Sequence, residues 1–343
     1  MMKKNWLIVA MISLMLVLAA CGDKNEATNS KENGEPATGV NEHNFKISHV
    51  VQETHVWHKT AEKFKEELEA LSEGKMTATI YSAASLGLEA DMVQQLETGT
   101  LDFGFLTNAY MSTREESLNG WFMPFVFEDL TEAVKMRESE EVKEMLSELN
   151  SQGLVGLDFA FAGNRHILSK DGFIESQEDL KGKKMRIIGS PAMQSFWEET
   201  GAGPTAMPLP EVYTSLQTGV IDGMDIDLDA LMTEKYYENA NYLTLTNHMT
   251  FPTVVVMSSK IFDGLSEEEQ KIVQKAVKNA VDWGADEAVA REATNLEELK
   301  KLGVEVATFD SPETFEKATT SVREQYSEKS DIIKRFIEKS LNN

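Results

Sequence analysis

An α/β chain folded as two lobes around a cleft is what this sequence predicts, on three observations. Strand-like and helix-like periodicities alternate from residue 45 onward, the pattern of a parallel or mixed sheet covered by helices. About 300 residues follow a polar stretch ending near Asn44, enough for two domains or one large one. One helix-to-strand elbow also occurs twice.

Taken in order, residues 45–51 alternate apolar and polar side chains as a first strand does, and residues 55–71 place Trp57, Ala61, Phe64, Leu68 and Leu71 on one helical face. Residues 77–81 read as a second strand, 89–97 as a helix and 101–106 as a third strand. Further strands are expected at 154–168, 185–188, 221–225 and 253–257. The last is continuously apolar, as in a strand covered on both faces. Ser266-Glu267-Glu268-Glu269 is a capping-box pattern opening a helix that runs to about Leu302. A helix of that length crosses between lobes or bends, for instance near Gly284.

The repeated elbow is Leu96-Glu97-Thr98-Gly99-Thr100-Leu101-Asp102, echoed by Leu216-Gln217-Thr218-Gly219-Val220-Ile221-Asp222. In each, a helix ends at a glycine suited to the left-handed cap position, and a strand carrying an Asp begins at once. Two similarly wound lobes follow from this echo. Ligands of open α/β sheets bind beyond the carboxyl ends of the strands, so facing lobes make a cleft.

The N-terminus has its own signature. Lys3 and Lys4 precede an apolar run, residues 6–18, and Ala19-Ala20 supply the small residues of a cleavage site, so residues 1–20 read as a signal peptide. The run is too short to span a bilayer. Leu18-Ala19-Ala20-Cys21 resembles a bacterial lipobox, and Cys21 is the only cysteine of the chain; exported cysteines otherwise come in pairs. Lipidation at Cys21 and anchorage to the outer face of the cell membrane are expected. Residues 22–44 lack Leu, Ile, Phe, Trp and Tyr and cannot bury enough surface to fold. Residues 21–44 thus read as a lipidated tether, reaching roughly 80 Å when extended.

Removing residues 1–20 takes away two of the 33 basic residues and none of the 57 acidic ones. So acidic a surface repels nucleic acid and anionic lipid. An anionic ligand would then need a local cluster of arginines.

Arg165 in Gly163-Asn164-Arg165-His166, Arg186 in Leu180-Lys181-Gly182-Lys183-Lys184-Met185-Arg186-Ile187, and the run from Met207 through Glu211, Tyr213 and Gly219 to Asp222-Gly223 resemble the DctP-type solute receptors of TRAP transporters. His55-Val56-Trp57-His58, Ser85-Leu86-Gly87, the Gly99 elbow, Pro124-Phe125-Val126-Phe127 and Thr246-Asn247-His248 fall in the same order, so the resemblance covers nearly everything after the tether. It implies a periplasmic-binding-protein-like fold of two lobes with mixed sheets and a hinge. The lobes are expected at 45–162 plus 252–290 and at 163–251 plus 291–343, with crossings near Ala162 and Phe251. It also implies an extracytoplasmic receptor that closes on an organic acid and hands it to the membrane permease subunits of the transporter.

By the resemblance Arg186 and Arg165 bind the ligand carboxylate. An arginine fork matches a carboxylate in shape and keeps its charge when desolvated. Glu89, Thr107 and Asn108 would line the opposite wall, with His58 either touching ligand or capping its helix and Tyr213 at the pocket edge. Asp225 and His248 would hold the pocket's backbone from behind. Two departures stand out: Asp225-Ile226-Asp227 replaces a common Glu-Asn-Pro, and Leu209 replaces a common aromatic ring. Ile226 and Leu209 therefore reshape the ligand contacts. A carboxylate at Glu89 would repel a second ligand carboxylate and accept from a hydroxyl, favouring a monocarboxylic hydroxy or sugar acid over a C4-dicarboxylate; a C4-dicarboxylate or keto-acid receptor of the same class is the alternative.

Rival readings find less support. Gly201-Ala202-Gly203 fits a loose dinucleotide pattern, but Pro204, Pro208 and Pro210 leave no continuous helix to cap a pyrophosphate. Nucleophile-elbow, zincin, Walker and paired CxxC motifs are lacking, so neither enzyme nor cofactor is expected, a surface lipoprotein hydrolase being the alternative. His49, His55 and His58 do not have a recognised metal-ligand spacing, and no metal is expected. A purely adhesive lipoprotein would lack a closing cleft.

Overall fold

The computed structural model describes residues 39–342. The expected signal peptide, Cys21 and the expected tether up to residue 38 lie outside the described residues. Along the chain come β1 (His43–His49), α1 (Val56–Leu71), β2 (Met76–Tyr81), α2 (Glu89–Thr98), β3 (Phe103–Thr107) and α3 (Asn108–Met111). After a 3₁₀ segment at Glu116–Phe122 follow α4 (Leu130–Met136), α5 (Glu140–Glu148), β4 (Leu154–Asn164), β5 (His166–Ser169), β6 (Lys184–Ile187), α6 (Pro191–Glu199), β7 (Gly203–Ala206), α7 (Leu209–Thr218) and β8 (Gly223–Ile226). The rest is α8 (Leu228–Thr233), β9 (Tyr242–Leu245), β10 (Thr250–Ser258), α9 (Ser259–Phe262), α10 (Glu267–Lys301), β11 (Glu305–Thr308), α11 (Glu316–Lys329) and α12 (Asp331–Ser340).

Two mixed sheets result, ordered β2-β1-β3-β10-β4 and β11-β9-β5-β8-β6-β7. In the first, β1 runs parallel to β2 and β3, and β10 is antiparallel to both β3 and β4. All nine residues of β10 are buried, which explains the apolar run Val254–Met257 at its centre. The stretch expected as one strand over 154–168 is instead two. Arg165 divides it, and β4 belongs to the first sheet while β5 pairs with β8 and β9 of the second. A one-dimensional pattern cannot see a change of sheet, because both halves are extended and buried. The chain crosses back between Leu245 and Thr250, where the Arg165 amide donates to the Met249 carbonyl at 2.7 Å.

The folded part begins a few residues before the expected boundary at 45. β1 starts at His43, and Glu269 accepts hydrogen bonds from the Asn41 amide nitrogen at 2.6 Å and its side-chain nitrogen at 3.0 Å. Glu269 also closes the capping box with Ser266, and these donors overcome its burial to hold it down at about 2. The helix it opens, α10, is continuous over 35 residues. Gly284 lies within it without a break. A Cβ there would lie 2.3 Å from Thr60 Oγ1, so the glycine serves close approach to α1. The second lobe expected over 291–343 needs one correction: Phe336 of α12 packs on Trp121 and Phe127, at ring-centroid separations of 5.0 and 5.9 Å. The last helix thus returns to the first lobe.

The repeated elbow is a real structural repeat. Gly99 and Gly219 both take left-handed caps, with φ of 78° and 73°. Asp102 accepts from the Lys46 amide at 2.7 Å and Asp222 from the Lys184 amide at 2.9 Å. Each Asp thereby ties its elbow to the neighbouring parallel strand. The lobes also cap each other's helices. Asn119 Oδ1, from the first, accepts from Ala192 N at the start of α6, and Asp229 Oδ2, from α8, accepts from Val56 N at the start of α1 at 2.7 Å.

Candidate functional site

A cavity of about 50 Å³ lies between the lobes, at the carboxyl ends of β1, β3, β6 and β8. Its walls are Val50, Val51, His55, Trp57, Leu88, Glu89, Thr107 and Phe251 on one side and Arg165, Arg186, Ile188, Pro208, Leu209, Pro210, Ile226, Asp227 and Ala230 on the other. The lining is mostly apolar with a few polar atoms, the usual make-up of a small-molecule site.

Arg186 stands at the third position of β6 and is fully buried. Its Nε and Nη2 donate to the Met207 carbonyl at 3.1 and 3.0 Å, while Nη1 has no partner. Burial lowers its pKa, with Arg165 adding to the effect and Tyr236, Asp225 and Glu89 opposing it. A buried guanidinium nitrogen without an acceptor is costly unless an anion completes it. Trp57 Nε1, on the other wall, is a second buried donor without a partner.

Arg165 is bound up differently. Its Nη1 donates to Asp227 Oδ2 at 2.8 Å, and its Nη2 to Asp225 Oδ1 at 3.1 Å and to the Asp225 carbonyl at 2.5 Å. Its guanidinium also lies 4.2 Å from the centroid of the Phe251 ring. Burial alone would raise the Asp225 pKa, but the Arg165 charge and His248 prevail and hold it at about 2. His248 Nε2 sits 3.8 Å from Asp225 Oδ2, and its Nδ1 is 2.7 Å from Thr246 Oγ1. Glu89 Oε1 accepts from the Thr107 amide at 2.8 Å. Burial raises Glu89 to about 7, against the pull of Thr107 and Arg186.

The structure therefore brings Arg186, Arg165, Glu89, Thr107, Ile226 and Leu209 to one cavity, with Asp225 and His248 behind Arg165. Three residues expected at the ligand are elsewhere. His58 Nδ1 lies 2.9 Å from His49 Nε2 and its Nε2 faces Glu62 at 3.4 Å, away from the cleft; the cap of α1 is His55, whose Nδ1 accepts from Trp57 N. Asn108 turns into the core, where Nδ2 donates to the Leu118 carbonyl at 2.9 Å. Tyr213, on the outer side of α7, donates to Glu238 Oε2 at 2.5 Å. In each case neighbouring positions on one strand or helix point opposite ways. Trp57, Phe251 and Asp227 were missed as wall residues. Asp227 alone had a signal, as an acid standing where proline is common. Among the described residues no group of three or more His, Cys, Asp or Glu side chains is placed to hold a metal ion.

Residues 47–330 match the family model described as bacterial extracellular solute-binding protein, family 7. The chain belongs to this family. It is 28% identical over 316 residues to the sialic acid-binding periplasmic protein SiaP of Vibrio cholerae, covering 91% of this chain and 92% of that protein. A TRAP periplasmic solute-binding protein from a Sulfitobacter species, solved with bound β-D-galacturonate, superposes with a TM-score of 0.81 at 28% identity, covering 88% of this chain and 100% of that one. The sugar acid-binding protein DctPAm of Advenella mimigardefordensis, solved with galactonate, gives 0.82 at 27% identity over 88% and 98%. The two-lobed α/β fold and the TRAP receptor class expected from sequence are thus both met. A member of this family is an extracytoplasmic binding receptor, not an enzyme.

Proposed function

We propose that this protein captures a hydroxy or sugar acid at the cavity between its lobes and delivers it to the membrane subunits of a TRAP transporter, while held to the membrane by lipid on Cys21. The observation that carries the ligand class is Arg186, a buried cation in the cleft with one guanidinium nitrogen unpartnered. A ligand carboxylate would accept from Nη1, and Trp57, in the same lining, offers a second unpartnered donor at Nε1. Glu89 and Thr107 would meet the ligand's hydroxyls. Sugar acids bound by the Sulfitobacter and Advenella receptors support the same class. Closure by hinge motion at the two crossings, around Arg165 and residues 246–249, would exclude water and strengthen the ion pair.

The test is a thermal-shift screen of soluble protein beginning at Gly22 against sugar acids, hydroxy acids, dicarboxylates, keto acids and amino acids. Ligand that binds only the folded state raises its stability by mass action. A selective shift with a hydroxy or sugar acid, absent in Arg186→Ala, supports the reading; no shift with any carboxylate refutes it. For the anchor, Cys21→Ser should release the protein from membranes and abolish incorporation of labelled palmitate.

A further inference from the structure

We propose that Asp227 restricts this site to acids with a single carboxylate, by filling the part of the Arg165 fork that a second ligand carboxylate would need. The inference rests on the reading of the cleft as an organic-acid site and adds to it what sets the charge of the acid.

Two arginines line the cavity, but they are not equivalent. Arg186 keeps Nη1 free of any partner. Arg165 is held on three sides: Asp225 takes Nη2, Asp227 takes Nη1 at 2.8 Å, and Phe251 covers a face. Asp227 is itself fixed, because its Oδ1 accepts from Ala230 N at 2.8 Å as the N-cap of α8. The pairing is therefore built into the β8-to-α8 turn and does not depend on a flexible side chain. In effect Asp227 is an internal carboxylate already seated on Arg165.

Charge balance points the same way. Arg165 is outnumbered by Asp225 and Asp227, which leaves that end of the cavity anionic, and Glu89 faces Arg186 from the other lobe. A first ligand carboxylate finds Arg186. A second would meet Asp227 or Asp225, with no cation besides the two arginines in the described lining, and like charges in a closed, poorly solvated site repel strongly. Hydroxyls, in contrast, can donate to these carboxylates.

The experiment compares, by calorimetry, acids that differ only in the second carboxylate: galactonate against galactarate, and gluconate against glucarate, with further mono- and dicarboxylate pairs from whichever acid class gives a thermal shift. The proteins are wild type, Asp227→Asn, which keeps an oxygen for the α8 cap, Asp227→Ala, and Asp227→Asn combined with Arg165→Met. Wild type should prefer the monocarboxylate by at least about a hundredfold. Asp227→Asn should narrow that preference by about tenfold or more, and adding Arg165→Met should remove the gain. The proposal is overturned if wild type prefers the dicarboxylate, if folded Asp227→Asn leaves the ratio unchanged, or if the gain survives loss of Arg165. If wild type binds no carboxylate, the organic-acid reading fails and this inference with it.

Discussion

Replacing Arg186 by Met removes the charge at the centre of the site while keeping an unbranched chain of similar length. In the ligand-free protein Arg186 makes two bonds to the Met207 carbonyl and leaves Nη1 unpaired. Loss of those bonds costs about 1–3 kcal/mol, since the Met207 carbonyl is left without its donor. Relief of a buried, incompletely paired charge offsets it by a comparable amount. The melting temperature of ligand-free protein should therefore move by only a few degrees, at about 2–4 °C per kcal/mol for a large domain. Ligand binding is a different matter. A charge-assisted hydrogen bond contributes about 1.5–3 kcal/mol, and removing one partner of a buried charge pair costs about 2–5 kcal/mol or more. With a micromolar complex near −8 kcal/mol, Arg186→Met should weaken binding by about two to four orders of magnitude. Calorimetry with the acid found by screening reads the loss, and scanning calorimetry reads the fold. A dissociation constant within tenfold of wild type, in protein of normal melting temperature, would refute the assignment of Arg186.

Three further outcomes are expected. Glu89, raised to about 7, is raised further by a bound anion, so the complex holds more protons than the free receptor and affinity should fall as pH rises through 7, by at most about tenfold per unit; Glu89→Gln should flatten that profile between pH 6 and 8. Asn119→Ala removes the first-lobe acceptor for Ala192 N and Ser190 Oγ at the start of α6, a cap worth about 0.5–2 kcal/mol; it should favour the open form, enlarging the radius of gyration in solution scattering and weakening binding several-fold without a ligand contact being touched. Gly284→Ala puts a methyl 2.3 Å from Thr60 Oγ1, itself bonded to the Val56 carbonyl at 2.9 Å, so overpacking of about 1–3 kcal/mol should outweigh the roughly 1 kcal/mol helix-propensity gain; chemical denaturation should show the loss, and adding Thr60→Ala should recover much of it.

Class and family were legible without coordinates, because both are written in local patterns. Alternating periodicities gave the α/β order. The Gly99 and Gly219 elbows marked equivalent points of two lobes, since a left-handed cap demands its residue type wherever it occurs. Ser266 and Glu269 announced the start of α10, and the Arg186 and Tyr213-to-Gly223 blocks named the receptor family. Tertiary structure decided what each side chain faces. Residues 154–168 look like one strand because burial and extension continue through Arg165, although the sheet changes there. His58, Asn108 and Tyr213 share elements with wall-lining neighbours yet point into the core or onto an outer face, a matter of one step along a strand or helix. Trp57 and Phe251, nearly 200 residues apart, become one wall only when β10 returns beside β3 and β4. The unequal fates of the two arginines are also tertiary: Arg186 keeps a free nitrogen because only a backbone carbonyl reaches it, whereas β8 and the turn after it deliver the Asp225 and Asp227 carboxylates to Arg165.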